Sequence, residues 1–195
     1  MTAQPADATT FPLWCIRLTS ELDAADARAI ALTNGLGIAQ LNWKSRPDTW
    51  SVGQCLEHLS LTNEIYIGPI AEALGGRPTG SVDEITPGWF GRWFIREYIE
   101  PRTQRRRGRA PTTVVPIATQ VDASIVSRFI ASNAMVREVI ARAHGYDINR
   151  LRFRNPFVPL LRFTVGTGLQ IIVRHNHRHL DQAERVTRSP DFPRA

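Results

Sequence analysis

Apolar residues recur every three or four positions in four long stretches of this chain, and no run reads as a set of strands. A period near 3.6 gives a helix one buried face. Such a chain must pack helices against helices. The first stretch spans about 20–40, with Ser20 as its cap, Glu21, Asp23 and Asp26 at the positive end of the dipole, and Leu22, Ala25, Ala29, Leu32 and Leu36 on its stripe. The second opens with a capping box, Ser51 and Gln54, and carries Val52, Leu56, Leu59, Tyr66, Ile70 and Leu74 until Gly75, Gly76 and Pro78 stop it. The third spans about 120–144, with Thr119 and Asp122 resembling a capping box and Ile125, Phe129, Val136, Ile140 and Ala143 on its face; His144 and Gly145 end it. The fourth spans about 160–188 and stops before Pro190 and Pro193. The expectation is an all-α four-helix bundle with few or no strands, its first two helices antiparallel across a linker at 42–50.

The 195 residues and 21.9 kDa suit one domain. It is expected over 19–188, after an irregular arm at 1–18 and before a short tail at 189–195. Residues 76–118 hold Pro78, Pro87, Pro101, Pro111 and Pro116 and read as a long irregular insertion with a short aromatic helix at 89–100. Connections this long are often functional. The aromatic segment is a candidate apolar patch, and a homodimer is one use for it. No apolar run approaches the roughly 18 residues of a membrane span. The first residues lack a secretory pattern, so the expected location is the cytoplasm. Cys15 and Cys55 are too few for a disulfide framework and read as buried thiols. The charge is +6, and Lys44 is the single lysine. The arginines at 102, 105, 106, 107 and 109 form the main basic run. In a chain so rich in arginine this run reads as a solvated loop, and nucleic acid is not an expected partner.

Three of the five histidines fall within five positions: His175, His177 and His179. At about 100° per residue, His175 and His179 lie about 40° apart beside the apolar stripe, and His177 faces away. An H-x-x-x-H pair on a helix can chelate a metal ion through neutral imidazoles, given a third ligand from elsewhere. His58, mid-helix in the second stretch beside the apolar Leu59 and Leu61, is the best candidate. His144 is explained by its helix end alone. A surface pair and a hydrogen-bonded core histidine remain the plain alternatives. Asn63 and Asn176 fall in apolar stripes and are expected to hydrogen-bond inside the bundle. Tyr66 reads as core. Glu57 and Glu64 flank His58 without facing it, so no residue reads as a general base.

The stretch Trp50-Ser51-Val52-Gly53-Gln54-Cys55-Leu56-Glu57-His58-Leu59 resembles the second-helix motif of the DinB-like superfamily. His175-Asn176-His177-Arg178-His179-Leu180-Asp181-Gln182 resembles that family's fourth-helix H-x-x-x-H-x-x-Q. The order and separation of the two motifs fit as well. The resemblance covers roughly 20–188 and implies a four-helix bundle holding a divalent metal ion, zinc or nickel foremost, on His58, His175 and His179, with Gln182 bordering the site. It implies no DNA chemistry. Family members include metal-dependent transferases of low-molecular-weight thiols, so a small-molecule substrate and a thiol are the expected partners. A metal-dependent hydrolase is the alternative, followed by a non-catalytic binding protein that uses the loop at 102–109. The insertion at 76–118 matches no family feature.

Overall fold

The computed structural model describes residues 11–100, 111–116 and 120–194. Its elements are α1 (Leu13–Thr33), α2 (Ile38–Leu41), α3 (Val52–Ala73), α4 (Trp89–Phe94), α5 (Ile125–Ala143), β1 (Arg152–Arg154), β2 (Arg162–Thr164) and α6 (Val165–Thr187). A π-helical turn, Ile95–Ile99, extends α4, and a 3-10 turn covers Thr112–Val114. Helix dominates, and the four long helices form the bundle.

The helix starts separate the expected from the observed. At α3 the capping box forms as read: the Gln54 N–H donates to Ser51 Oγ at 3.2 Å, and Gln54 Oε1 accepts from the Ser51 N–H at 3.4 Å. At α1 the expected cap is corrected. The helix begins at Leu13, with the Pro12 carbonyl accepting from the Cys15 N–H, and Ser20 is an exposed residue inside it. Trp14, Cys15 and Leu18 extend the buried stripe upstream, and Trp14 Nε1 donates to the Val82 carbonyl at 2.8 Å. Residues 13–18 are therefore helical and not part of an irregular arm. Residues 1–10 and Thr119 lie outside the described residues. At α5 the N-cap residue is Ser124, which makes no side-chain cap bond, and Asp122 instead accepts from the Ser124 N–H. At α6 Thr164 accepts from the Thr167 N–H, and residues 162–164 pair with β1 in a small antiparallel hairpin. Strands of three residues are too short to show an alternating period, so periodicity could not reveal them.

Buried apolar residues form two clusters. One contains Trp14, Leu18 and Leu22 of α1, Tyr66 and Ile70 of α3, Val136 and Ile140 of α5, and Leu169 and Val173 of α6. The other contains Ala25 and Ala29 of α1, Cys55, Leu56 and Leu59 of α3, Ile125 and Phe129 of α5, and Leu180 and Ala183 of α6. Between them lies a polar level: Asp26, Asn63, Ser132, Asn133 and Asn176. Asn63 Nδ2 donates to Ser132 Oγ and to Asn133 Oδ1, Asn176 Nδ2 donates to Asn133 Oδ1, and Asn133 Nδ2 donates to Asp26 Oδ1. The expected internal hydrogen bonds of Asn63 and Asn176 are present.

Cluster membership also gives direction. Helices α1 and α6 run from the first cluster to the second, while α3 and α5 run from the second to the first. So α1 and α3 are antiparallel, as expected, but each packs mainly against α5 and α6 and not against the other. Because α3 and α5 are parallel neighbours, the chain between them must return along the whole bundle. That is the physical reason for the insertion at 76–118: it is the crossover. Within it Phe90 and Phe94 pack on Phe163, while Trp89 and Trp93 stay exposed. The basic run at 102–109 falls outside the described residues. Among the described residues no helix is long and apolar enough to cross a membrane.

Gly168 shows how closely the hairpin sits on α6. A Cβ there would lie 2.5 and 2.6 Å from two atoms of the Phe153 ring, too close to coexist with it. Gly168→Ala is expected to destabilise the protein by about 1–3 kcal/mol through overpacking, read as a lower urea midpoint with unchanged slope. A variant as stable as the parent would show that the hairpin is free to lift.

Candidate metal centre

His58 of α3 and His175 and His179 of α6 meet in one cluster, each offering a ligand atom, with all three atoms within 4.8 Å of one another. His58 is 2% exposed and His179 7%. His58 Nδ1 donates to the Val114 carbonyl at 2.7 Å, which leaves the Nε2 lone pair free and turned inward. His58 Nε2 and His175 Nε2 stand 3.3 Å apart. Two imidazoles on a tetrahedral ion, at 2.0–2.1 Å per bond, would hold their nitrogens about 3.3–3.4 Å apart. Nδ1 of His175 is buried without a hydrogen bond, and Gln182 is the side chain beside His179. A hydrogen-bonded core histidine does not leave a ring nitrogen unsatisfied. Trp50 closes one side, its ring 4.7 Å from His58 and stacked on His179 at 5.6 Å.

The other candidates lie elsewhere. His177 turns toward α1, with Nδ1 3.3 Å from an Arg28 nitrogen and Nε2 4.0 Å from Glu21. His144 caps the end of α5, a ring nitrogen against the Ala141 carbonyl, and lies edge-on to Phe11. Tyr66 is core: its hydroxyl accepts from Asn155 Nδ2 at 3.0 Å, between Phe153 and Phe157. Glu64 pairs with Arg128. Glu57 lines a separate small pocket with Asp122, Ser124 and Arg128, where burial raises its pKa. Gln182 is half-buried, and its side chain bears on His179. Cys15 and Cys55 are buried, which pushes each thiol up to about 12.

Two contributors escaped the sequence reading, and both involve the crossover. The Val114 carbonyl orients His58. Arg178 Nη1 donates to the Tyr98 and Ile99 carbonyls and so ties the π-helical turn to α6 beside the site. A backbone acceptor has no side-chain signal. Arg178 had one: it lies inside the H-x-x-x-H stretch, about 60° around the helix from His175.

Burial lowers the pKa of all three imidazoles, His175 and His179 most strongly. Charge repulsion among the rings and from Arg178 adds to it, while the Val114 bond opposes it at His58 and Gln182 opposes it at His179. The cluster is therefore neutral at neutral pH, the protonation state a metal ion requires.

On unfolding, each imidazole regains a pKa of about 6.5. Below that pH the unfolded chain binds protons that the folded chain refuses, so stability is full above about 6.5 and is lost progressively as pH falls toward the depressed folded values. The urea midpoint of metal-free protein is expected to drop between about pH 7.5 and 5.5, and the double change His175→Gln with His179→Gln is expected to flatten that slope. An equal slope in both proteins would show that these rings are not held neutral.

The sequence matches the DinB superfamily over residues 21–183. No curated protein matches it. Among solved structures, YfiT from Bacillus subtilis, described as a probable metal-dependent hydrolase with an unusual four-helix bundle topology, superposes with a TM-score of 0.57. That alignment covers 95% of this chain and 92% of YfiT at 14% identity, a likeness of fold. With the match running through all four long helices, the chain belongs to the DinB superfamily.

Proposed function

We propose that His58, His175 and His179 hold one divalent ion, zinc or nickel, and that the protein is a metal-dependent enzyme transferring a low-molecular-weight thiol to an electrophile. The observation that carries this is the convergence of three neutral imidazoles, His58 and His179 buried and His175 half-buried, with no carboxylate in the cluster among the described residues. Three neutral imidazoles would leave a bound ion its full charge. A divalent ion held there would supply Lewis acidity and acidify a thiol or a water.

The chain's own residues do the rest. Val114 fixes the His58 tautomer, Trp50 shields two rings from water, and Gln182 steadies His179. In the transfer itself the thiol sulfur bonds to the electrophilic carbon, the leaving group departs with its electron pair, and the thiol proton passes to solvent. Hydrolysis at the same centre is the second reading, favoured by the likeness to YfiT. A homodimer through the exposed Trp89 and Trp93 accompanies either reading, and solution scattering measures it directly.

The test is elemental analysis of protein purified without a histidine tag, followed by assays with electrophile plus thiol and with esters alone. About one metal per chain is expected. His58→Ala, His175→Ala or His179→Ala should each lose most of it and His177→Ala almost none. Turnover that requires the thiol and stops with chelator supports transfer; turnover without thiol supports hydrolysis. Protein that neither holds metal nor binds it on titration would end both readings.

A further inference from the structure

Beside the histidines, α6 carries a stripe of a different chemistry. Gln170, Arg174 and Arg178 are spaced four apart and share one face. Across from them, Arg92 and Arg96 are also four apart, on α4 and its π-helical extension. The two elements enclose a groove of about 360 Å³, lined by Pro87, Arg92, Ile95, Arg96, Gln170 and Arg174, with Glu100 at one side. A cavity of this size suits a small molecule.

Its charge is unbalanced. Three arginines face the single lining carboxylate, Glu100, which pairs with Arg174 at 2.6 Å. Arg96 uses Nε on Glu97, at 2.9 Å, and Arg92 Nη1 donates to the Pro87 carbonyl. Arg178, one turn beyond Arg174, makes no ion pair among the described residues; its partners are the Tyr98 and Ile99 carbonyls. Around the axis of α6, Arg178 lies between the direction of Arg174, about 40° away, and that of His175, about 60° away. The positive stripe thus runs from the groove to the edge of the histidine cluster. A guanidinium fork matches a carboxylate or a phosphate through two parallel hydrogen bonds.

We propose that this groove is a binding site for the oxyanion, phosphate or carboxylate, of a small-molecule substrate whose other end reaches the histidines past Arg178. The proposal rests on the enzymatic reading above and names the substrate class for it. Glu100 is the resident anion of the free protein, and an entering oxyanion takes its place on Arg174.

The groove is tested without the metal. Metal-free protein in chelator, at low salt, is titrated calorimetrically with inorganic phosphate and, separately, with succinate. Saturable binding of one of them is expected, and the one that binds names the anionic group. Arg92→Gln with Arg96→Gln is expected to weaken it by about tenfold or more, the scale of lost charge-assisted hydrogen bonds. Glu100→Gln is expected to tighten it several-fold by removing the competitor, a gain that misfolding cannot produce. Binding that is equal in parent and arginine variants would mean an adventitious ion only and would overturn the proposal, as would no saturable binding at all. Tighter, steeply salt-dependent binding of a single-stranded oligonucleotide, itself lost in the arginine variants, would overturn it in favour of a nucleic-acid surface. Metal content measured on the same preparations keeps failure of the groove distinct from failure of the metal centre.

Discussion

All four long helices meet at one residue. Asn133 of α5 donates to Asp26 of α1 at 2.6 Å and accepts from Asn63 of α3 at 2.9 Å and from Asn176 of α6 at 2.7 Å. Apolar contacts tolerate sliding, because one leucine can replace another against a neighbouring helix. Buried amides do not, since a slip of one turn would leave several without partners at about 1–3 kcal/mol each. The network therefore fixes the relative heights of the helices. Asn176 is next to His175, and Asn63 is little more than one turn beyond His58 on α3. The register that satisfies the amides is the same register that brings the imidazoles together.

Direction matters as much as height. In an up-and-down bundle joined by tight turns, every sequential pair of helices is antiparallel and the loops sit at the ends. Here α3 and α5 are parallel, and the connection between them travels the length of the bundle. Its described residues reach the histidine cluster, where the Val114 carbonyl accepts from His58 and the carbonyls of Tyr98 and Ile99 accept from Arg178. The helices that carry the histidines would form in any bundle with this pattern. The orientation of His58 comes from a residue of the crossover, Val114.

What was legible in the sequence follows from which signals are local. Ser51 and Gln54 are three residues apart, and their reciprocal bonds form where the pattern says. The facing of His175, His177 and His179 is a property of one helix and needs no partner. The meeting of His58 with the pair on α6 is long-range, and it was legible through the resemblance of the two ordered motifs. The start of α1 misled because Ser20 and the acids after it resemble a cap and a first turn. The burial of Trp14 outweighs them and carries the helix upstream to Pro12. The hairpin at β1 and β2 is too short to have a period, and the parallel arrangement of α3 and α5 is a tertiary fact with no local trace. The crossover looked like an addition because its purpose is topological.

The two apolar clusters are separated at the level where a compact bundle would ordinarily be driest. Asp26, Asn63, Ser132, Asn133 and Asn176 occupy it, and the histidines sit at its edge. Buried polar groups add little net stability even when paired, and the unpaired Nδ1 of His175 detracts from it. A chain under selection for stability alone would fill this level with leucine. Local conflict with that rule marks a functional site more reliably than any single residue type does. The conflict here is also directional. The cluster is neutral, its charged neighbour Arg178 is a cation without an ion-pair partner among the described residues, and the groove alongside is rich in arginine. Such a polarity opposes free cations and favours anions. Both preferences arise from the same side of α6, which presents imidazoles inward and guanidinium groups one quarter-turn away.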